Sequence, residues 1–183
     1  MQAARHQSIP IAPLGTLTNA CESCVGQCQQ IIEIISARVF SEKTVGGSSV
    51  GAHLRHIIER FDCFLTGYPV GQINYDLRRR DRQLELNIES AKEALIAVAS
   101  GLSQVREVDI KQLSVMESVD ENGSVVAVDS TVERELMGLV SHTIHHLAII
   151  VMLAKAQGYT LNENLGKAPS TIIYERQNHE DRA

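Results

Sequence analysis

Apolar residues recur at steps of three and four in four long stretches of the chain, a spacing typical of helices that bury one face. The stretches cover about residues 19–41, 50–67, 81–102 and 131–158. The third is the most regular, with an aliphatic seam along its whole length. This pattern predicts an all-α fold in which four helices pack as a four-helix bundle.

Small polar residues and glycines mark the expected ends of these helices. Gly46 and Gly47 separate the first two helices, and Gly158 predicts a left-handed stop after the fourth. Polar side chains that can accept the free N–H groups of a first turn precede three of the helices. They are a capping box of Asn19 and Glu22, Ser48 or Ser49, and a capping box of Ser130 and Glu133.

The pattern changes between residues 105 and 129, where two short β-favouring runs flank Asn122 and Gly123. An Asn-Gly pair suits a tight turn, so we expect a small β-hairpin or extended insertion before the last core helix. The residues before the first helix and the tail over 159–183 predict irregular structure. The expected organisation is one domain over 1–183 with its core at about 19–158.

Composition and charge narrow the range of partners. The chain has 183 residues, is 44% hydrophobic and carries a formal net charge of −5. An acidic chain has no general attraction for phosphate backbones or anionic lipid, and one without Trp has few platforms for stacking bases. We read no signal peptide and no bilayer-spanning segment. The expectation is a soluble cytoplasmic protein that binds neither nucleic acid nor membrane.

Three of the four cysteines, Cys21, Cys24 and Cys28, lie at i, i+3 and i+7 in the first helix. Such spacing is compatible with a zinc or cluster site. It also describes one face of a helix, and Ile31, Ile32 and Ile35 continue that face with plain aliphatic residues. Buried free cysteine behaves as a small hydrophobic residue, so we interpret these thiols as core residues in the reduced state.

The segment SHTIHHLAII of the fourth helix contains three of the seven histidines. His142 and His146 lie one turn apart and about 40° apart around the axis, so both rings can reach one ion. His145 is rotated by about 100° from His146 and points elsewhere. Two histidines at i and i+4 also arise by chance and often serve as ordinary hydrogen-bonding residues.

A metal site needs at least a third protein ligand from another helix. His53 and His56 on the second helix are both candidates. His53 lies nearer the centre of the apolar stripe and His56 on its flank, and the helical geometry leaves both open. Nitrogen ligands suit Zn, Ni, Fe or Cu without choosing among these divalent metals.

A basic cluster, LRRRDR, lies at the entrance to the third helix. The plain interpretation is a solvated helix entrance neutralised by Asp76 and Asp81. The functional one is that Arg78, Arg79 or Arg80 orients an anionic substrate over the end of the bundle. No nucleotide-binding or serine-hydrolase motif appears, and no spacing nominates a carboxylate of the core helices, such as those at residues 59 and 133, as a general base.

Two segments together resemble a known family. SVGAHLRHIIERF on the second helix and ELMGLVSHTIHHLAII on the fourth resemble the DinB/YfiT-like superfamily of four-helix-bundle metalloenzymes. Members have one His on the second helix, about seven residues after a small-polar and aliphatic pair, and H-x-x-x-H on the last core helix. Carried over by position, the resemblance implies His56, His142 and His146 as the metal ligands, with His53 and His145 as neighbours.

The resemblance also implies a function. It suggests a metal-dependent enzyme acting on a small-molecule substrate, with thiol-linked transferase or hydrolytic chemistry, and a homodimer. The substrate, the reaction and the metal are not given by the sequence. The alternative function is a metal-free dimeric helical bundle that binds a small ligand or protein partner through the fourth helix.

Overall fold

The computed structural model describes residues 13–44, 47–105 and 112–180. Seven helices, one short 3-10 helix and three strands occur in these residues. In chain order they are α1 (Leu14–Ile34), α2 (Ala37–Ser41), α3 (Val50–Gly67), the 3-10 helix (Tyr68–Val70), β1 (Gln72–Asn74), α4 (Arg82–Leu86), α5 (Ile88–Ser103), β2 (Leu113–Ser118), β3 (Val125–Ser130), α6 (Val132–Ala156) and α7 (Pro169–Glu180).

Four long helices, α1, α3, α5 and α6, form the predicted bundle. Helices α1 and α3 each pack against both α5 and α6, so the order around the bundle is α1, α5, α3, α6. The core between them is apolar, with Leu54, Phe61, Leu95, Leu136 and Leu147 fully buried. Because α3 and α6 are adjacent, residues on their facing sides come together although they are far apart in sequence.

The first predicted helix differs from the structure at both ends. Helix α1 begins at Leu14 with Pro13 at the N-cap position, so the predicted capping box at Asn19 and Glu22 is wrong. The chain then leaves the helix at Ile35, and Ser36 caps a separate short helix, α2. Pro13 has no side-chain acceptor, and the N–H of Thr16 in the first turn bonds to the Pro13 carbonyl oxygen instead.

Other helix ends follow the sequence more closely. Ser49 caps α3 by accepting the N–H of Ala52, as predicted. The predicted box at Ser130 and Glu133 is wrong by one residue, because Thr131 caps α6 and Ser130 ends β3. Gly158 adopts the predicted left-handed conformation, with φ of 86°. Of the predicted Gly46–Gly47 break, Gly46 lies outside the described residues.

The third predicted helix is interrupted. Asn87 ends α4 and caps α5 by accepting the N–H groups of Glu89 and Ser90. The aliphatic seam survives the interruption, since Leu95, Val98 and Leu102 of α5 are buried. A single residue that is extended can therefore divide one periodic stretch into two helices without changing the face that is buried.

The predicted hairpin is present and belongs to a larger sheet. Strands β2 and β3 pair antiparallel around a turn that contains Gly123, with φ of 78°. The short strand β1 pairs parallel with β2, which the sequence did not indicate. This pairing fixes the chain that follows β1, residues 75–81, beside α3. The part of the predicted β region that covers residues 106–111 lies outside the described residues.

The tail is more ordered than predicted, because α7 occupies residues that were expected to be irregular. Leu161 and Leu165 anchor the segment before it in the core. By length and composition alone, α6 is apolar enough to cross a membrane, contrary to the sequence-based expectation that no segment is. In the bundle α6 packs on α1 and α3 and buries one face, while Met137 and Met152 on it are exposed.

Candidate metal centre

Three histidines from two helices converge where α3 faces α6. His56 lies on α3, and His142 and His146 lie one turn apart on α6. One ligand nitrogen from each ring can be chosen so that all three lie within 4.8 Å of one another. Among the described residues, no other group of His, Cys, Asp or Glu side chains has ligand atoms that meet in this way.

The three rings contact each other directly. The Nε2 atoms of His56 and His142 are 2.8 Å apart, so the two rings share a hydrogen bond. The ring centroids of His56 and His146 are 4.6 Å apart, and those of His142 and His146 are 4.5 Å apart. Nitrogens bound to one ion at about 2.1 Å lie at most about 4.2 Å apart. The group of nitrogens is therefore at most about 0.6 Å wider than one ion can span.

The environment keeps all three imidazoles uncharged. Burial, reinforced by the Arg78 guanidinium, lowers the pKa of His56 to about 3. Burial also lowers the pKa of His142 to about 4 and that of His146 to about 3, with neighbouring positive charge adding to the effect. Near neutral pH the rings are deprotonated, which is the form in which imidazole binds a metal.

His53 contacts this group of three histidines without belonging to it. Its Nδ1 lies 3.0 Å from Nδ1 of His146, and its Nε2 lies 3.1 Å from Oγ of Ser48. A hydrogen bond to one ring nitrogen of a histidine fixes which of its nitrogens carries the proton and which is free. The chain Ser48–His53–His146 therefore orients the His146 ring through its Nδ1 and leaves its Nε2 outside this chain. His145 is exposed, in keeping with its rotation away from His146.

The basic cluster places one arginine at the site. Nη1 of Arg78 lies 2.6 Å from Nδ1 of His56. The backbone that carries it is held by Glu59, a buried carboxylate of α3 that accepts the N–H of Asp81. Arg80 has a φ of 52°, a left-handed conformation that non-glycine residues seldom adopt. Of the two interpretations of this cluster, that of a solvated helix entrance is wrong for Arg78.

The aspartates do not neutralise the cluster as the plain interpretation assumed. Asp76 accepts a hydrogen bond from Ser118, and Asp81 caps α4 by accepting the N–H of Gln83. Among the described residues, neither forms a salt bridge with an arginine of the cluster. The positive charge of Arg78 is therefore not balanced by its neighbours in sequence.

A second arginine, Arg60 of α3, links this helix to the sheet near the histidines. It pairs with Glu117 of β2, and its guanidinium carbon lies 3.9 Å from the centre of the Tyr75 ring. The Tyr75 hydroxyl donates to Glu135 in the first turn of α6. These contacts link α3, the sheet and α6 close to the histidines. The two helices that carry the histidine rings are therefore connected to each other by side-chain contacts.

The three cysteines of α1 have the structural role that we expected. Cys21, Cys24 and Cys28 are buried in the core and form no disulfides. Burial raises the pKa of Cys21 to about 12 and that of Cys24 to about 11, and it raises the pKa of Cys28 further. They stay protonated near neutral pH, which makes them poor metal ligands.

Comparisons with known proteins agree with the fold. The chain is similar in structure to YfiT from Bacillus subtilis, described as "a probable metal-dependent hydrolase with an unusual four-helix bundle topology". The TM-score is 0.52 at 15% sequence identity, over 87% of this chain and 95% of YfiT. No family model and no curated protein matches the chain. The likeness confirms the YfiT-like four-helix bundle that the sequence predicted, and at this identity it establishes the fold alone.

Proposed function

We propose that the protein is a metal-dependent enzyme that holds one divalent ion with His56, His142 and His146 and acts on a small molecule. The observation that carries the proposal is the convergence of three neutral imidazoles from α3 and α6 within 4.8 Å. Three protein ligands with free coordination positions are the usual arrangement of a catalytic rather than a structural metal site. The structural similarity to YfiT, which is described as a probable metal-dependent hydrolase, supports metal-dependent chemistry.

The donor set fits a metal on chemical grounds. Among the described residues, none of the three rings has a hydrogen bond to a carboxylate, and two of them face each other with their nitrogens 2.8 Å apart. Neutral imidazoles clustered without an acidic partner can each present a nitrogen lone pair to a shared cation once the proton between His56 and His142 is displaced. Nitrogen ligation allows Zn, Ni or Fe, and the geometry does not choose among them.

The chemistry available at such a site is electrophilic. A divalent ion held here would act as a Lewis acid that activates water or a polar group of the substrate. The chain supplies the rest: His53 orients His146, Arg78 places a positive charge beside His56, and α3 and α6 keep the rings half-buried. We infer hydrolysis or group transfer as the reaction class, and thiol-linked transfer is a specific form of it.

Elemental analysis of protein purified without a histidine tag tests the proposal. After reconstitution and dialysis we expect about one ion per chain, and less than about a tenth of an ion in His142→Ala, because two ligands do not retain a catalytic metal. His145→Ala is the matched control, since it removes an exposed imidazole from the same helix turn. Equal metal content in wild type and His142→Ala would reject the site.

The same experiment separates this proposal from the metal-free bundle that binds a ligand or partner through α6. If that alternative is correct, the wild-type protein will not retain one ion per chain after reconstitution and dialysis. The single domain over 1–183, the homodimer, the cytoplasmic location and the absence of nucleic-acid and membrane partners stay predictions.

A further inference from the structure

Arg78 lies at the boundary between the three histidines and a neighbouring cavity. Its Nη1 is 2.6 Å from Nδ1 and 3.4 Å from Nε2 of His56. The same side chain lines a cavity of about 350 Å³ that extends along the C-terminal half of α3. None of the three histidines lines this cavity, so Arg78 lies between the cavity and the candidate metal centre and contacts both.

Arg78 lacks the salt bridge that each of the two arginines of α3 forms. Arg55 pairs with Glu85 and Arg60 pairs with Glu117. Arg78, in contrast, forms no salt bridge with any described residue. A partly buried guanidinium beside neutral imidazoles is electrostatically unfavourable unless an anion joins it.

The carboxylates in the wall of the cavity do not play this part. Glu59 accepts the backbone N–H of Asp81. Burial raises the pKa of Asp62, and the neighbouring Arg79 partly offsets this effect. Neither carboxylate forms a salt bridge with Arg78, so both act on its charge only at longer range. A divalent ion on the histidines would add two further positive charges beside Arg78.

The other residues that line the cavity indicate the size of the ligand and the apolar character of most of it. Leu77, Val70 and Met116 present apolar surface to the cavity, and Thr66 and Asn74 add polar groups. A volume of about 350 Å³ lies at the small end of ligand sites in proteins. It suits a compact molecule with an apolar part and one charged end.

We propose that this cavity binds a small molecule with an oxyanion head, a carboxylate or phosphate, that pairs with Arg78, and an apolar body that lies against Leu77 and Met116. Guanidinium binds both heads through paired hydrogen bonds, so the two share one recognition chemistry. The inference names the substrate class of the proposed metal enzyme and rests on that function for the ion that flanks the anion.

The test is calorimetric titration of hexanoate, hexyl phosphate and neutral hexanamide into metal-loaded and chelated protein, with metal content measured in every sample. We expect at least one of the two anions to bind and hexanamide to bind at least about tenfold more weakly. Arg78→Gln should weaken anion binding about tenfold or more, and Arg78→Lys should weaken it less. Arg82→Gln, an exposed residue with the same charge change, is the control and should leave the affinity within about twofold.

Alkylation of Cys63 by iodoacetamide in wild-type protein locates the ligand without any substitution at Arg78. Cys63 lines the cavity and is half-buried, whereas the other three cysteines are buried in the core. Bound anion should slow modification of Cys63 at least about threefold at saturation, and hexanamide at the same concentration should not, because it leaves the site mostly free. The relative affinities of hexanoate and hexyl phosphate identify the head group.

Equal anion affinity in wild type and Arg78→Gln, or alkylation of Cys63 that saturating anion does not slow, would overturn the inference. If the protein retains no metal, the proposed function fails and the chelated samples decide this inference separately. Anion binding that depends on Arg78 without metal would support it, and absence of such binding would overturn it.

Discussion

Two regions of the molecule carry metal-ligand residues at helical spacing, and burial affects them in opposite ways. The cysteines of α1 lie in the core, and burial raises their pKa values, so the thiols stay protonated. The histidines of α3 and α6 are half-buried, and burial lowers their pKa values, so the imidazoles stay neutral. A protonated thiol is a poor ligand and a neutral imidazole is a good one.

The two regions also differ in which helices contribute. All three cysteines lie on α1 and form one stripe with the aliphatic residues that follow. The histidines come from two facing helices and meet at one point. A spacing along one helix therefore describes a buried face, and convergence across an interface describes a site.

The largest expected effect is on thermal stability when metal is removed. A ligand present at about a hundred times its Kd stabilises the folded state by about 2.7 kcal/mol, which corresponds to roughly 5–10 °C in Tm for a chain of this length. Adding EDTA to metal-loaded protein should lower Tm by that amount, as measured by calorimetry. Cys28→Ala should show the same drop and His142→Ala none. If Cys28→Ala abolished the fall in Tm and His142→Ala retained it, the metal would be bound by the cysteines and not by the histidines.

The next effect concerns metal affinity and separates His53 from the three proposed ligands. Because His53 orients His146 without joining the group, His53→Ala should weaken metal binding by about tenfold and keep one ion per chain at saturation. Competition with a chromophoric chelator measures the affinity, and His145→Ala is the control. If His53→Ala loses the ion altogether, His53 is itself a ligand and the assignment is wrong.

Removing a core thiol should cost stability without affecting metal. Cys28 is fully buried, so Cys28→Ala leaves a small cavity and should lower the free energy of unfolding by about 1–2 kcal/mol. Cys63→Ala, at a half-buried position, should change it by less than about 0.5 kcal/mol. Urea denaturation measures both, with metal content assayed in parallel. Loss of the ion from Cys28→Ala would show that the thiols are ligands.

The smallest effects are opposite pH dependences of the metal-free protein. Below about pH 6.5 the unfolded chain protonates its histidines while the folded cluster does not, so stability falls as pH drops. Above about pH 8.5 the unfolded chain ionises its cysteines while the folded core does not, so stability falls as pH rises. His142→Ala should flatten the acid side and Cys28→Ala the alkaline side of the stability profile, measured by urea denaturation. An acid side unchanged in His142→Ala would contradict the assignment.

Local periodicity was sufficient to predict the bundle, because each long helix has one continuous apolar face. It could not place every boundary. Asn87 divides the third helix, and Ser36 starts a separate α2, although the apolar pattern runs past both residues. Both are good capping residues, so the signal was present in the sequence but competed with the pattern. Strand β1 is only three residues long and depends on its partner β2, which no local pattern reveals.

The site was only partly predictable for the same reason. The i, i+4 pair on α6 follows from helix geometry, but the choice between His53 and His56 depends on the rotation of α3 relative to α6, which tertiary packing sets. The roles of Arg78 and Glu59 depend on a loop whose path is fixed by β1 and by one buried carboxylate. The only sequence signal was a basic cluster, and its charge pattern could not identify which arginine turns inward.

X-ray absorption at the edge of the bound metal tests the central claim most directly, because nitrogen and sulfur ligands give different distances. Zinc-loaded protein should show three imidazole nitrogens at about 2.0–2.1 Å, further light atoms and no sulfur. The signal should disappear in His142→Ala, which removes one of the proposed ligands. A sulfur shell at about 2.3 Å in the wild-type protein would place the metal on the cysteines and contradict the account.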